Sequence, residues 1–83
     1  MPRLNRGVRL RSEPDGSTLL LVPEGILRLN DTAAAILALV DGERTIDAIV
    51  DALAARFEVP REDLLRDVGE LIDRLTLRGY VTS

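Results

Sequence analysis

The sequence predicts an α+β fold in which a three-stranded antiparallel sheet precedes three helices. Apolar residues alternate with a period of two up to residue 29 and then recur at helical spacing. The chain has 83 residues, of which 46% are hydrophobic. That is enough for one packed core and too little for two. We therefore predict that residues 1–83 form a single domain.

Three short strands are predicted, at residues 8–11, 19–22 and 26–29. In the first strand Val8 and Leu10 alternate with arginines, as in a strand with one buried face. The second strand is apolar on both faces, which predicts a central position in the sheet. Turn-forming residues at 14–16 and 23–25 join the strands. The third strand is then an edge, with unpaired backbone groups.

Three helices are predicted, at residues 31–41, 46–58 and 60–78. Asn30 and Thr45 are suited to cap the first two, and Gly42 and Gly79 to end the first and the third. At about 100° per residue, the apolar residues of the third helix share one arc, which predicts its core face. Gly69, at the margin of this arc, costs about 1 kcal/mol relative to Ala. We therefore expect a ligand or another element of the chain to approach the backbone there.

The composition excludes several kinds of site. Cysteine and histidine are absent, so the chain has no disulfide, no Cys/His metal site, no thiol nucleophile and no imidazole base. The carboxylates fall on polar helix faces, and no phosphate-binding loop is present. We predict no catalytic residue, no metal and no cofactor. The apolar runs are too short to span a membrane and no signal peptide is recognisable, so we expect a cytoplasmic protein without membrane contact.

The charge distribution argues against nucleic acid as a partner. Residues 1–29 hold five arginines and three acidic residues, whereas residues 30–83 hold six arginines and eleven acidic residues. The whole chain has a net charge of -3. Two short helices before a longer one are also typical of helix-turn-helix regulators, so DNA binding stays an alternative. The third helix has four arginines and five acidic residues, so its net charge is negative. A negative helix argues against binding to DNA phosphates.

The third strand offers a more specific interpretation. An edge strand can accept an extended peptide through its free amides and carbonyls. Arg28 lies on this strand and would attract acidic side chains of such a peptide. The alternative is that Arg28 only protects the edge from aggregation.

The order of several short motifs resembles one known family. The motifs are Arg6-Gly7-Val8-Arg9-Leu10, Leu20-Leu21-Val22-Pro23-Glu24-Gly25, Leu29-Asn30-Asp31-Thr32-Ala33, Ile36-Leu37, Asp41-Gly42, Ile49-Val50 and Asp67-Val68. Together they resemble protein D of pyrroloquinoline quinone (PQQ) biosynthesis, a family of peptide chaperones. Its fold defines the recognition elements of ribosomal peptide modification.

The resemblance implies a winged-helix-like fold without a catalytic residue. It implies binding of the PQQ precursor peptide and its delivery to a radical S-adenosylmethionine enzyme, which crosslinks a Glu and a Tyr of the peptide. A recognition element for a different modified peptide fits the same resemblance. In the family the peptide is an added strand between the third strand and the third helix. That position maps onto Ile26, Leu27, Arg28, Leu29, Leu65, Arg66, Gly69, Ile72, Arg74 and Thr76.

A homodimer is a further expectation. The second strand is apolar on both faces, and helices on one side of a three-stranded sheet leave the other side partly uncovered. A second copy of the chain, or the modifying enzyme, would cover that side.

Overall fold

The computed structural model describes residues 1–82 and confirms the α+β class. Within these residues the elements are β1 (Arg3–Leu4), β2 (Arg9–Ser12), β3 (Thr18–Val22), β4 (Gly25–Leu29), α1 (Asp31–Leu37), α2 (Ile46–Ala54), α3 (Arg61–Leu77) and β5 (Val81–Thr82). The three predicted strands correspond to β2, β3 and β4. The strands β1 and β5 were not predicted.

The main sheet has the order β2-β3-β4, with both strand pairs antiparallel. The predicted central strand is therefore confirmed, and β4 is an edge. Leu20 pairs with Leu10 and with Leu27 on the face that the helices cover, and it is fully buried. The opposite face, here called the outer sheet face, carries Arg9, Arg11, Leu19, Leu21, Ile26 and Arg28.

A second, two-stranded sheet joins the chain ends. Antiparallel pairing sets Arg3 opposite Thr82. Next to this pair, the Asn5 backbone N–H donates to the Tyr80 carbonyl at 2.8 Å, and the Asn5 side-chain amide donates to the Gly79 carbonyl at 2.9 Å. Two-residue strands show no periodicity, so the sequence did not indicate them.

The first two helices end earlier than predicted. Helix α1 ends at Leu37 instead of 41, because Leu39 and Val40 bond to carbonyls three residues back, which tightens the turn. Gly42 therefore does not cap this helix. Its backbone N–H donates to the Pro2 carbonyl at 2.9 Å, at a φ of 81°. Helix α2 ends at Ala54 instead of 58, and a similar three-residue bond to Leu53 follows.

Helix α3 closes as the sequence indicated. Gly79 has a φ of 79° and donates to the Thr76 carbonyl, while Tyr80 donates to the Leu75 carbonyl. This pair of bonds is a Schellman motif. It turns Tyr80 into the core, where its hydroxyl donates to a Glu24 carboxylate oxygen at 3.2 Å. The third helix and the β3–β4 turn are thus held together.

The core lies between the main sheet and the three helices. It includes Leu20 of the sheet, Ile36 and Leu37 of α1, and buried residues of both longer helices, namely Ile49, Val50, Leu53, Leu64, Val68, Ile72 and Leu75. Leu19 is also buried, but it lies on the outer sheet face and outside this cluster. Across residues 1–82, none of the helices is both long and apolar enough to cross a membrane.

Candidate functional site

A continuous groove runs beside β4 and the start of α1, with α3 as its other wall. One part, about 310 Å³ in volume, borders β4 and is lined by Leu27, Arg28, Leu29, Asn30, Ala33, Leu71, Arg74, Leu75 and Arg78. The other part, about 340 Å³, borders α1 and is lined by Asn30, Thr32, Ala33, Ile36, Asp67, Glu70, Leu71 and Arg74. The two parts share four residues, so we describe them together as the β4–α3 groove.

The free edge of β4 points its backbone groups away from the sheet at alternate residues. The Glu13 N–H donates to the Ser17 carbonyl at 2.8 Å. In an antiparallel ladder, bonded and non-bonded pairs alternate from that point. The backbone N–H and C=O groups of Leu19 and Leu21 therefore bond to β2, and those of residues 18, 20 and 22 bond to β4. The backbone groups of Ile26 and Arg28 consequently point to the open edge.

Four of the residues predicted for the site line this groove. Leu27 and Leu29 are half-buried and pack against the core, so they form its apolar wall beside the sheet. Arg28 lies between them at the open edge, and Arg74 stands across from it on α3. Ile26 is adjacent, with 61% of its surface exposed, but its side chain belongs to the outer sheet face.

The structure does not bring the other five predicted residues to the groove. Leu65, Gly69 and Thr76 lie on the opposite flank of α3: helical geometry places Gly69 about 160° from Leu71 around the axis. On the solvent side of the helix, the Arg66 guanidinium is paired with the Asp63 carboxylate at 3.0 Å. Ile72 is in the core with 5% exposure. That any of these five contacts a peptide stays a prediction.

Gly69 has open space beside it in the structure. Apart from its chain neighbours and the nearby backbone of its own helix, a Cβ atom at this position would meet no atom of residues 1–82 within 4 Å. The expectation that another element of this chain packs closely against Gly69 is therefore wrong. That a separate molecule approaches Gly69 at this flank stays a prediction.

Sequence reasoning did not assign to the site several residues that line the groove. They are Asn30, Thr32, Ala33, Ile36, Asp67, Glu70, Leu71, Leu75 and Arg78. Asn30 was identified as a helix cap, and its side-chain oxygen does accept from the Ala33 N–H at 2.7 Å. Leu71 belonged to the predicted apolar arc. The helical pattern contained a signal for these residues: Leu71 and Asp67 lie at one margin of the apolar arc, whereas Leu65 and Gly69 lie at the other.

The charges in the groove differ from those elsewhere on α3. Arg61 is paired with the Asp51 carboxylate at 3.0 Å, and this hydrogen bond raises the pKa of Arg61. Within residues 1–82, by contrast, the groove residues Asp67, Glu70, Arg74 and Arg78 form no ion pair. Their charges are open to solvent or to a bound molecule.

Arg28 has a carboxylate near it at the β2–β3 turn. Asp15 accepts from the Ser17 hydroxyl at 2.6 Å and from the Ser17 N–H at 2.9 Å, and these two bonds are the main cause of its lowered pKa. The positive charge of Arg28 lowers the pKa of Asp15 further. The Arg28 side chain therefore carries its charge on the outer sheet face, while its backbone faces the groove edge.

These features suit the binding of an extended chain. The edge supplies backbone donors and acceptors, Leu27, Leu29 and Leu71 supply apolar walls, and the two ends carry charge. Such an arrangement is what strand addition to a sheet edge requires. Within residues 1–82 no three His, Cys, Asp or Glu side chains are grouped to hold a metal ion.

Comparison with known proteins places the chain among related sequences. The family model described as "Coenzyme PQQ synthesis protein D (PqqD)" matches residues 17–81. A relative from Azotobacter vinelandii named "PqqA binding protein" is 46% identical over 83 residues, which covers 98% of this chain and 88% of the relative.

Two solved structures share the fold over nearly the whole chain. The PqqD truncation of Methylobacterium extorquens PqqCD, a stand-alone recognition element for ribosomally synthesised and modified peptides, has a TM-score of 0.84 and 32% identity. The match covers 99% of this chain and 88% of that one. Lasso peptide synthetase B1, complexed with the leader peptide, has a TM-score of 0.82 and 27% identity, with coverage of 99% and 98%.

Proposed function

Because this chain belongs to the PqqD family, we propose that it binds the ribosomal precursor peptide of PQQ biosynthesis. It then presents the peptide to a radical S-adenosylmethionine enzyme for crosslinking of a Glu and a Tyr. The chain itself acts as a recognition element, without a catalytic step of its own. A peptide made on the ribosome meets such a protein in the cytoplasm.

One observation carries this proposal: the open edge of β4 borders a groove whose other wall is α3. Bound as an added strand, the peptide would exchange hydrogen bonds with the outward backbone groups of Ile26 and Arg28. Alternate side chains of the peptide would enter the groove between β4 and Leu71 of α3. The backbone bonds favour binding of any extended segment, and the groove walls select its sequence.

The outer sheet face is a separate surface, which we assign to the enzyme that receives the peptide. Ile26 is 61% exposed there, and the half-buried Leu21 pairs with Arg9 on the neighbouring strand, where Arg11 pairs with Leu19. Exposed apolar side chains rimmed by arginines suit a partner with an acidic, partly apolar surface. A homodimer through this face is the competing arrangement. Light scattering over a range of concentrations separates the two, since a strict monomer excludes the dimer.

Titration calorimetry with the synthetic precursor peptide and with N-methylated versions of it tests the peptide-binding proposal. N-methylation removes one backbone donor at a time. Because a strand bonds through alternate residues, we expect methylation to weaken binding at every second position of the bound segment. Uniform tolerance along the peptide would contradict strand addition. A leader peptide from a lasso peptide system, titrated in parallel, tests whether the chain serves a different modified peptide.

Two proline variants locate the edge that is used. Arg28→Pro removes an outward donor from β4, and Ser12→Pro removes an outward donor from β2, at the other edge of the same sheet. Neither residue donates to β3, so both variants should keep the fold, which circular dichroism checks. We expect Arg28→Pro to lose peptide affinity and Ser12→Pro to retain it. The reverse result would place the peptide on β2.

A further inference from the structure

The β4–α3 groove carries opposite charges at its two ends. Arg78 lines only the part beside β4, whereas Asp67 and Glu70 line only the part beside α1. Arg74 borders both parts. All four side chains are exposed, and within residues 1–82 none has an ion-pair partner. The groove therefore has a basic end and an acidic end.

The distance between the ends matches one short strand. From Asp67 to Arg78 the helix rises about 16 Å, at 1.5 Å per residue. An extended peptide covers this distance with about five residues. One extended segment of that length therefore reaches from the acidic end, beside α1, to the basic end, beside β4.

The direction of β4 relates these ends to the direction of a bound peptide. The chain passes from Leu27, beside the basic end, to Leu29 and then into α1, beside the acidic end. All strand pairs described within residues 1–82 are antiparallel, and antiparallel pairing is slightly more stable per residue than parallel pairing. An antiparallel peptide therefore begins at the acidic end and finishes at the basic end.

We infer that the groove selects peptides with basic side chains just before the paired strand and acidic side chains just after it. This inference rests on the proposed function, because it needs a peptide added to β4. A peptide with this charge order meets opposite charges at both ends of the groove. A peptide with the reversed order meets like charges at both ends, which disfavours its binding and fixes the direction of the bound strand.

Three synthetic peptides with blocked termini test the inference. Each has the same five-residue apolar strand: the first has two Lys before it and two Glu after it, the second has the reverse order, and the third has Ser at all four positions. In titration calorimetry at low salt, we expect the first to bind about tenfold more tightly than the second, with the third between them. In 1 M NaCl this difference should shrink, because salt screens exposed charges.

A pair of double variants links the preference to the groove. Asp67→Arg with Arg78→Glu leaves the net charge of the chain unchanged, neutralises the acidic end, where Glu70 remains, and makes the Arg78 position acidic, so it should remove the preference. Asp73→Arg with Arg66→Glu makes the same exchange on the solvent side of α3. This matched control should leave the preference unchanged. Circular dichroism confirms that both variants remain folded.

The outcomes separate the inference from the proposed function. Equal affinity for all three peptides would overturn charge selection and leave strand binding in place. Tighter binding of the second peptide would overturn the direction assigned to the strand. An unchanged preference in the Asp67→Arg, Arg78→Glu variant would remove the groove as its cause. No binding of any of the three peptides would count against both.

Discussion

The two flanks of helix α3 are built from similar residues but have different surroundings. One flank, with Leu71 and Arg74, forms a wall of the β4–α3 groove. The opposite flank, with Leu65 and Gly69, borders open space: Leu65 is 38% exposed, and a Cβ at Gly69 would meet no atom of residues 1–82 within 4 Å, apart from its chain neighbours and the nearby backbone of its own helix. What makes one flank the wall of a groove is therefore the strand beside it and not the residues of the helix itself.

This difference shows how a helix separates stability from recognition. The stripe between the flanks, including Val68 and Ile72, is buried and holds the fold. Residues at either margin of the stripe bury only part of their surface, so they are free to serve a ligand where a second element faces them. Comparable substitutions at the two margins of the stripe therefore test which margin contacts the peptide.

The largest effect is expected in the stripe itself. Ile72→Ala should lower the free energy of unfolding by about 2–5 kcal/mol, because it leaves a cavity in the core. Leu65→Ala should cost under about 1 kcal/mol, since Leu65 already contacts solvent. Urea unfolding of both variants measures the difference. Equal losses would mean that Leu65 is as well packed as Ile72.

One bulky side chain in the groove and one on the opposite flank of α3 distinguish the two surfaces. Ala33→Trp fills the groove, which Ala33 lines in both parts, and should weaken precursor-peptide binding about 30-fold, or about 2 kcal/mol. Gly69→Trp should leave the affinity nearly unchanged. Calorimetry on folded variants decides between the flanks. A loss with Gly69→Trp alone would move the peptide to the opposite flank, near Leu65 and Thr76.

Gly69 also allows a test without a bulky group. Gly69→Ala should raise the free energy of unfolding by about 0.5–1 kcal/mol, because alanine has less backbone freedom to lose in a helix and the added methyl group meets open space. Thermal and urea unfolding measure this gain. A destabilised variant would show that a neighbour packs closer to Gly69 than the structure indicates. Peptide affinity should be unchanged.

The smallest effect concerns charge. Arg74→Gln should weaken binding of the precursor peptide a few-fold, because Arg74 borders both parts of the groove and an exposed ion pair contributes under about 1 kcal/mol. Arg66→Gln is the matched control, since Arg66 is paired with Asp63 away from the groove. The salt dependence of binding should flatten only for Arg74→Gln. Identical salt responses would argue against a role for Arg74.

The local elements and most of the core could be predicted from the sequence. The apolar run of β3 predicted a central strand, and Leu19 and Leu20, which lie on opposite faces of that strand, are both buried. The stripes of α2 and α3 likewise predicted buried residues such as Ile49 and Val68. Helix ends were less well determined, because bonds three residues back at Leu39 and Arg56 shortened α1 and α2 without any breaker residue there.

Which elements contact each other depended on the tertiary structure. Periodicity reports which face of α3 is apolar, but both margins of that face satisfy the same pattern, so it did not distinguish Leu71 from Leu65. The pairing of Arg3–Leu4 with Val81–Thr82 joins residues at opposite ends of the chain, and no local preference encodes it. The β4 edge was identified correctly because strand order follows from sequential hairpins. Its partner across the groove depended on how α3 packs, which is a property of the assembled core.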